Sequence, residues 1–288
     1  MSSITVCSLN MWVCAGDFEK RWPCLLAAVK AESHVDVFVL QENARYSGFE
    51  AQSTIEMLAV ELGMEARFGW HWNRGDNLWD SMGNGYLSRL PILGFEERSL
   101  QDSTERHPTG GLEAGDLQDP ESVELHSQLR LEVELPNGQP WNIYNCHLPH
   151  RTIDSMNRET QVVEITQWAA EIEHEVPPIW CGDFNTSPSS SAYRFVTGEQ
   201  SLHGRSTCWT DLKTEFSDGE HLPTIGNTIP RDACVDYIFQ RQHSGMDNAI
   251  SMPCRSCGLA LNEPCGPHQM LPSDHCAVRA TFDLEADR

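Results

Sequence analysis

The hydrophobic positions of this chain follow a strand period and a helix period in turn. Residues 4–10 alternate like a strand, and residues 35–40 form an almost continuous apolar run, which is typical of a strand covered on both faces. Helical spacing appears at residues 19–32 and 55–62. This alternation of strands and helices predicts a layered α/β domain.

The second half of the chain continues the same pattern. Residues 129–135 and 141–147 are predicted to be two strands, joined by the Pro-Asn-Gly turn at residues 136–138, because Asn-Gly is a strong hairpin signal. The remaining predicted elements are a helix at residues 158–175 and strands at residues 178–183, 234–239 and 276–284.

No repeat or low-complexity linker divides the chain, so we expect residues 1–288 to form a single domain. Residues 101–124 lack the hydrophobic periodicity of the rest of the chain and are rich in Gly, Pro, Asp and Glu. We interpret this segment as a surface insertion, either solvated filler or a functional loop.

The charge balance restricts the possible functions. Lys and Arg together number 20 and Asp and Glu 42, which gives a formal net charge of −22, and only Lys20, Lys30 and Lys213 are lysines. This composition excludes a protein that coats nucleic acid through general positive charge, although a local arginine site remains possible.

No apolar stretch approaches the ~20 residues of a membrane span. Because the first residues resemble a strand and not a secretory signal, we expect a cytoplasmic protein.

The eleven cysteines are scattered along the chain, and in a cytoplasmic protein we expect reduced, mostly buried thiols. One cluster departs from this pattern. Cys254, Cys257, Cys265 and His268 have spacings that a structural zinc site could use. The loop between the two pairs is short and the whole segment contains two prolines, Pro264 and Pro267, so an ordinary cysteine-rich loop is the alternative.

Polar residues stand at the ends of the predicted strands, where they would emerge at the rim of a sheet. Asn10, Glu42, Asp183, Asn185 and Asp274 all offer hard oxygen atoms. Such donors without thiolates suit Mg²⁺, Mn²⁺ or Ca²⁺ and not zinc. Asp183 and Asn185 are two residues apart, so in an extended segment they face the same way.

Two histidines add proton chemistry to this set. His147 and His275 can exchange protons near neutral pH, and Asp236 could orient His275 and favour its imidazolium form. A metal that neutralises phosphate charge, together with a histidine that activates water, predicts hydrolysis of a phosphate ester.

The order of these motifs is more specific than any one of them. They are Leu9-Asn10, Gln41-Glu42, residues 84–92 (NGYLSRLPI), residues 145–148 (NCHL), residues 182–185 (GDFN), residues 236–239 (DYIF) and residues 273–275 (SDH). In this order the chain resembles the endonuclease/exonuclease/phosphatase superfamily, with its deoxyribonuclease-I-like fold, from residue 4 to about residue 284. The resemblance implies a four-layer α/β/β/α sandwich of two packed mixed sheets flanked by helices.

The resemblance also implies roles for individual residues. Glu42 is the expected principal ligand of Mg²⁺ or Mn²⁺, with Asn10 and Asp274 nearby.

Asp183 and Asn185 are expected to position the attacking water and the scissile phosphate. His275 is either the base or a phosphate contact oriented by Asp236, and His147 contacts phosphate or the leaving group. Whether Asp183 or His275 takes the proton of the water is left open.

Substrate contacts are less well defined by the sequence. Arg158 and Asn84 are candidates for substrate binding, and either Asp76 or Asp80 could support His147. We favour a nuclease narrowly over a phosphodiesterase or phosphatase that acts on a small or lipid phosphoester. A non-enzymatic binding module built around the cysteine cluster is the third hypothesis.

Overall fold

Strands and helices alternate along the part of the chain that the structure, a computed structural model, describes: residues 2–13, 15–46, 52–73, 79–100, 127–150, 154–172, 174–225, 233–242 and 250–284. The strands are β1 Ser3–Asn10, β2 Val37–Tyr46, β3 Glu65–Asn73, β4 Trp79–Ser88, β5 Ile92–Ser99, β6 Ser127–Glu134, β7 Pro140–His147, β8 Ile179–Asp183, β9 Trp209–Asp211, β10 Asp236–Arg241, β11 Cys254–Ala260 and β12 Ala277–Asp283. The helices are α1 Phe18–Ala31, α2 Thr54–Leu62, α3 Ser155–Ala170, α4 Ser191–Val196 and α5 Leu212–Glu215.

The strands form two six-stranded mixed sheets. The first has the order β11-β12-β1-β2-β4-β3 and the second the order β5-β6-β7-β8-β10-β9. Each contains a parallel pair near its centre, β1 with β2 and β7 with β8, and its other pairings are antiparallel. Because the strands of a parallel pair end at the same edge, residues that follow these four strands can meet at one rim.

The two sheets pack face to face, and helices cover their outer faces. Side chains of both inner faces, such as Val6 and Val39 of the first sheet and Leu131 and Ile143 of the second, form one buried cluster. Apolar residues of α1 and α2 pack on the outer face of the first sheet, and those of α3 and α4 on the outer face of the second. The predicted four-layer sandwich is confirmed.

Most of the predicted elements are present, with shifted ends. The 129–135 and 141–147 strands pair as β6 and β7, and the turn between them closes through a hydrogen bond of 2.8 Å from the Gly138 N–H to the Leu135 carbonyl oxygen. The sequence reading missed the strands β3, β4, β5, β9 and β11 and the short helices α4 and α5. Residues 101–124, the predicted insertion, lie outside the described residues.

None of the helices in these ranges is both long and apolar enough to cross a membrane.

Gly182 allows β7 and β8 to approach each other closely. Its φ is 145°, and a Cβ atom at this position would collide with the carbonyl oxygen of Cys146 in the neighbouring parallel strand. Glycine alone adopts this backbone conformation readily. The close approach brings His147 opposite Asp183 in the strand register.

We therefore expect Gly182→Ala to lower the free energy of unfolding by about 2–5 kcal/mol, from steric overlap and backbone strain combined. Gly94→Ala is the matched control, because a Cβ atom there meets its nearest neighbour, Cβ of Glu132, at an ordinary 3.6 Å. Urea unfolding of both variants measures the difference. Equal stability of the two variants would contradict the assigned backbone geometry.

Candidate active site

The polar residues at the strand ends converge on one rim of the sandwich. Asn10, Glu42, His147 and Asp183 lie at or near the carboxyl ends of the two central parallel pairs. Asp236 begins β10, directly opposite Asp183, while Asp274 and His275 immediately precede β12. Antiparallel strands begin where their neighbours end, so all of these residues reach the same place.

Asp183 lies at the centre of this group and is buried. Its Oδ2 accepts a hydrogen bond from Asn10 Nδ2 at 3.0 Å and lies 3.6 Å from His147 Nε2 and 3.8 Å from His275 Nε2. Burial and the neighbouring Asp236 carboxylate raise the pKa of Asp183 to about 6. At neutral pH the carboxylate is still ionised and can accept a proton.

His275 and Asp236 form a buried pair, with His275 Nδ1 and Asp236 Oδ2 separated by 2.9 Å. Burial alone lowers the pKa of an imidazole, but the Asp236 carboxylate outweighs that effect and raises the pKa of His275 to about 10. His275 is therefore an imidazolium at neutral pH, and Nε2 directs its proton towards the interior of the site. The predicted contact between Asp236 and His275 is present.

The second histidine lies on the other side of Asp183. His147 Nε2 is 3.6 Å from Asp183 Oδ2 and 3.9 Å from Glu42 Oε1. The carboxylate of Asp183 thus lies between two imidazole rings, an arrangement suited to holding an anion or moving a proton. The side chains of Asp76 and Asp80, the candidates to support His147, lie outside the described part of the structure.

A β-bulge places Glu42 at the rim. The register of β2 against β4 shifts between Leu40 and Asn43, and Glu42 has a φ of 55°, a conformation uncommon for residues other than glycine. Glu42 Oε1 accepts a hydrogen bond from Asn10 Nδ2 at 3.0 Å. The strand predicted to end at residue 40 in fact continues through the bulge to Tyr46.

The chemistry of the donors fits a divalent cation. Burial raises the pKa of both Glu42 and Asp274. The hydrogen bonds and positive charges around each carboxylate therefore do not fully offset the cost of removing its negative charge from water. The negative charge of Glu42 further raises the pKa of Asp274, which places the two carboxylates in one electrostatic environment. A bound cation would offset this cost.

The donor atoms at the site are arranged differently from the predicted set of metal ligands. Among the described residues, the group whose ligand atoms lie within 4.8 Å of one another is Asp183, Asp236 and His275. Asn10, expected as a ligand, uses its Oδ1 to accept the Trp12 N–H at 2.9 Å and directs Nδ2 at the carboxylates. In this arrangement Asn10 bridges Glu42 and Asp183 through hydrogen bonds.

Asn185 does not lie in an extended segment with Asp183, as the two-residue spacing predicted. Its φ is 46°, and its N–H donates to Asp183 Oδ1 at 2.8 Å, which closes a tight turn. Asn185 Nδ2 donates to the Leu148 carbonyl oxygen at 2.8 Å. The residue fixes the Asp183 carboxylate and ties it to the segment after β7.

The two candidate substrate residues are both buried. Arg158 Nη1 donates to the Pro149 carbonyl oxygen at 2.6 Å and so anchors α3 beneath the site. Asn84 lies on β4 with its side chain fully buried, and among the described residues neither its Oδ1 nor its Nδ2 has a hydrogen-bond partner. Their contact with substrate stays a prediction.

The structure does not support the predicted zinc site at Cys254, Cys257, Cys265 and His268. Cys254 and Cys257 are on β11, partly buried against the inner core, and Cys265 forms a disulfide with Cys24 of α1. Since that sulfur is already bonded, the four residues cannot supply a complete ligand set. The expectation of reduced thiols is also wrong for Cys24 and Cys265, while it holds for the buried thiols of Cys7, Cys146, Cys181 and Cys234.

The disulfide joins residues separated by 241 positions, with a Cα–Cα distance of 5.3 Å. It links α1 to the segment between β11 and β12. We expect Cys265→Ser to lower the free energy of unfolding by roughly 2–5 kcal/mol, because the cross-link restricts the unfolded chain. Guanidinium unfolding with and without a phosphine reductant measures this: reduction should destabilise the unmodified protein and leave the variant unchanged. A thiol titration that finds all eleven cysteines free would contradict the bond.

Sequence reasoning did not identify several supporting residues. Gln41 Nε2 donates to Asn145 Oδ1 at 2.9 Å, and Asn145 Nδ2 donates to the carbonyl oxygens of Leu40 and Gly85, which ties the two sheets together beneath the site. Gln41 and Asn145 both belong to motifs described in the sequence, and this membership was the signal that could have identified them. Arg21 on α1 is fully buried, and the only signal in the sequence was a cation on an otherwise apolar helix face.

Comparisons with known proteins agree with this geometry. A model of the endonuclease/exonuclease/phosphatase family matches residues 7–275. The chain is 31% identical to Nocturnin of Xenopus laevis over 122 residues, which are 39% of this chain and 28% of that protein. The chain spans less than half the length of the curated relatives it matches.

Two solved structures share the fold. The human Nocturnin catalytic domain with bound sulfate anion has a TM-score of 0.71 at 20% identity, covering 98% of this chain and 95% of that one. D. rerio TDP2 complexed with single strand DNA product has a TM-score of 0.66 at 18% identity, covering 98% and 100%. With the family model matched across nearly all of the fold and the motifs assembled at one rim, the chain belongs to the endonuclease/exonuclease/phosphatase family.

Proposed function

We propose that the chain is a divalent-metal-dependent hydrolase of phosphodiester bonds, with nucleic acid as the substrate and Mg²⁺ as the metal. The observation that carries this proposal is the position of Asp183 Oδ2, which lies 3.6 Å and 3.8 Å from the Nε2 atoms of two histidines. The carboxylate of Glu42 completes the group on the His147 side. Carboxylates for a cation and imidazoles for an anion are what phosphoester hydrolysis requires.

Glu42 and Asp274 are the residues that would hold the metal, with Asn10 orienting the Glu42 carboxylate. When bound, a divalent cation neutralises charge on the phosphate and on the leaving oxygen. Its preference for hard oxygen donors matches these carboxylates, and magnesium usually completes its shell with water and substrate phosphate.

Asp183 is the proposed general base. It is ionised at neutral pH, and two donors fix its orientation: Asn10 Nδ2 holds Oδ2, and the Asn185 N–H holds Oδ1. His275 is a poorer acceptor for the proton of the water, because the Asp236 carboxylate at its Nδ1 raises its pKa to about 10. A fixed carboxylate near the attacking water is a suitable acceptor.

The histidines are the proposed phosphate contacts. His275 offers a charged Nε2–H donor, which suits a non-bridging phosphate oxygen that gains charge during the reaction. His147, on the opposite side of Asp183, is placed to contact the phosphate or the leaving oxygen.

The solved relatives support a phosphate-containing substrate. Human Nocturnin binds a sulfate anion in its structure, and D. rerio TDP2 holds a single-stranded DNA product. Both share the fold of this chain. The proposal of nucleic acid rests on this similarity together with the arrangement of carboxylates and histidines.

A small or lipid phosphoester is the second candidate substrate. The net charge of −22 favours it, because a long polyanion would be repelled along most of the surface and a single phosphate would not. Under this alternative the chemistry at the site is the same and only the bound group differs.

The test is hydrolysis of a panel by the purified chain with Mg²⁺, Mn²⁺ or EDTA. The panel contains plasmid DNA, single-stranded DNA, RNA, sphingomyelin and bis-p-nitrophenyl phosphate. We expect metal-dependent cleavage of a nucleic acid and none in EDTA. Turnover of sphingomyelin or the small diester alone would favour the second candidate, and activity that EDTA leaves unchanged would refute the metal-dependent mechanism.

A further inference from the structure

Arg21 of α1 is the most deeply buried arginine in the described part of the chain. None of its side chain is exposed, and its guanidinium lies over the rings of Trp12 and Phe18, 5.1 Å and 5.3 Å from their centroids. Burying a cation is costly unless its N–H groups find acceptors. An apolar residue would fill this helix position at a lower desolvation cost.

These contacts join two segments that are remote in sequence. The guanidinium donates to four carbonyl oxygens of the segment after β1: Met11 at 3.0 Å, Trp12 at 3.1 Å, Val13 at 2.9 Å and Ala15 at 3.1 Å. A fifth hydrogen bond, of 2.7 Å, goes to the carbonyl oxygen of Pro272. The first segment begins directly after Asn10, and Pro272 precedes Ser273-Asp274-His275.

The segment after β1 is strained. Trp12 and Val13 have φ values of 56° and 43°, in the left-handed region that side chains disfavour, β-branched ones most of all. Such a conformation persists only where its surroundings hold it in place. The carbonyl groups of both strained residues are bound by Arg21.

The strained segment in turn orients Asn10. The Trp12 N–H donates to Asn10 Oδ1 at 2.9 Å, and this leaves Asn10 Nδ2 to bridge Glu42 Oε1 and Asp183 Oδ2. The Ser273 hydroxyl donates to the Asn10 carbonyl oxygen at 2.7 Å, a second tie between the two segments. Arg21 and Ser273 therefore each join the segment of Asn10 to the segment of Asp274.

We propose that Arg21 is a positioning residue of the active site, which fixes the Asn10 bridge and the Asp274 carboxylate relative to each other and so preorganises the site for its cation. It touches neither substrate nor reacting atoms and acts through the backbone of these two segments. The inference rests on the proposed metal-dependent function.

The test measures Mn²⁺ binding by isothermal titration calorimetry, without turnover, for the unmodified chain, Arg21→Met and Arg21→Lys. Loss of a residue that orients ligands typically weakens metal binding by about 10–100-fold, and we expect this for Arg21→Met. Arg21→Lys, which keeps the charge with fewer and differently directed donors, should recover only part of the affinity.

The matched control is Arg241→Met. Arg241 Nη1 also donates to a backbone carbonyl, that of Ala169 at 3.1 Å, but it stands at the opposite end of β10 from Asp236. It should lose thermal stability and keep the Mn²⁺ affinity of the unmodified chain. An Arg21→Met variant that is less stable but binds Mn²⁺ equally well would overturn the proposal, since Arg21 would then serve the fold alone.

Ser273→Ala keeps the proposal testable if Arg21→Met does not fold. It removes the second tie, together with the contacts of the Ser273 hydroxyl to Asp274 Oδ1 at 3.3 Å and to the His275 N–H at 3.1 Å. We expect weaker Mn²⁺ binding by several-fold, less than for Arg21→Met, because the five guanidinium contacts remain. Unchanged affinity in both Ser273→Ala and Arg21→Lys would refute the positioning role. Failure of the unmodified chain to bind Mn²⁺ would instead refute the proposed function, and this inference with it.

Discussion

Asp183→Asn is expected to lower kcat/KM for a phosphodiester by about 10²–10⁴-fold, the usual contribution of a positioned general base. The amide keeps the shape of the carboxylate but cannot accept the proton of the attacking water. The substitution also replaces one oxygen of the Asp183 carboxylate, whose Oδ2 is surrounded by Asn10 Nδ2 and two imidazole rings. Steady-state hydrolysis of bis-p-nitrophenyl phosphate and of an oligonucleotide measures the effect.

Asp211→Asn is the control for this substitution. Asp211 is also a buried aspartate of the second sheet, but it caps α5 and accepts the Lys213 N–H at 3.1 Å. We expect it to lose stability and to retain its kcat/KM. An Asp183→Asn variant within tenfold of the unmodified chain would show that another group is the base.

Asp236→Asn is expected to lower kcat/KM by about 10²-fold at slightly alkaline pH, by removing the charge that keeps His275 protonated. Burial lowers the pKa of an imidazole, and in the unmodified chain the Asp236 carboxylate outweighs burial to give a pKa of about 10. Without the carboxylate the pKa falls, so the imidazolium is lost at a lower pH. The alkaline limb of the pH–rate profile should therefore move to lower pH.

The acidic limb provides the internal check. It follows Asp183, whose pKa is raised to about 6 by burial and by the Asp236 carboxylate, while the His275 charge lowers it. In the variant the loss of the Asp236 charge and the weaker charge of His275 act in opposite directions on this pKa, so the acidic limb should move less than the alkaline limb. Nuclear magnetic resonance titration of His275 measures the imidazole directly. Asp36→Asn, which alters an acceptor for the Thr5 N–H at the far end of the first sheet, should leave both limbs in place. A His275 that stays protonated in Asp236→Asn would contradict the argument.

The sequence allowed the meeting of polar side chains at one rim to be predicted wherever a polar residue ends an apolar run. Asn10, His147 and Asp183 are such residues, and strand ends are where side chains leave a buried sheet. Glu42 was identified although the bulge that places it was not, because a φ of 55° leaves no mark on hydrophobic periodicity. The strand β11 was read as a cysteine-rich loop for a similar reason, since its alternation is weak.

Other features depend on contacts between distant parts of the chain. Cys24 and Cys265 form a disulfide across 241 positions, and no local pattern distinguishes them from the free thiols. The guanidinium of Arg21 binds carbonyl groups, which every residue carries, so its partners leave no signature in the sequence. Periodicity predicts elements and their ends, whereas these contacts emerge only when the sheets are assembled.

The pairing of β1 with β12 affects when the site can come into existence. Ser3 pairs with Asp283, and Asp274 and His275 enter the site only as β12 adds to the sheet. During synthesis, more than two hundred residues must therefore leave the ribosome after Asn10 and Glu42 before the site can form. Contacts of such long sequence separation form late in folding. The enzyme therefore has no complete active site until its last strand has joined the sheet.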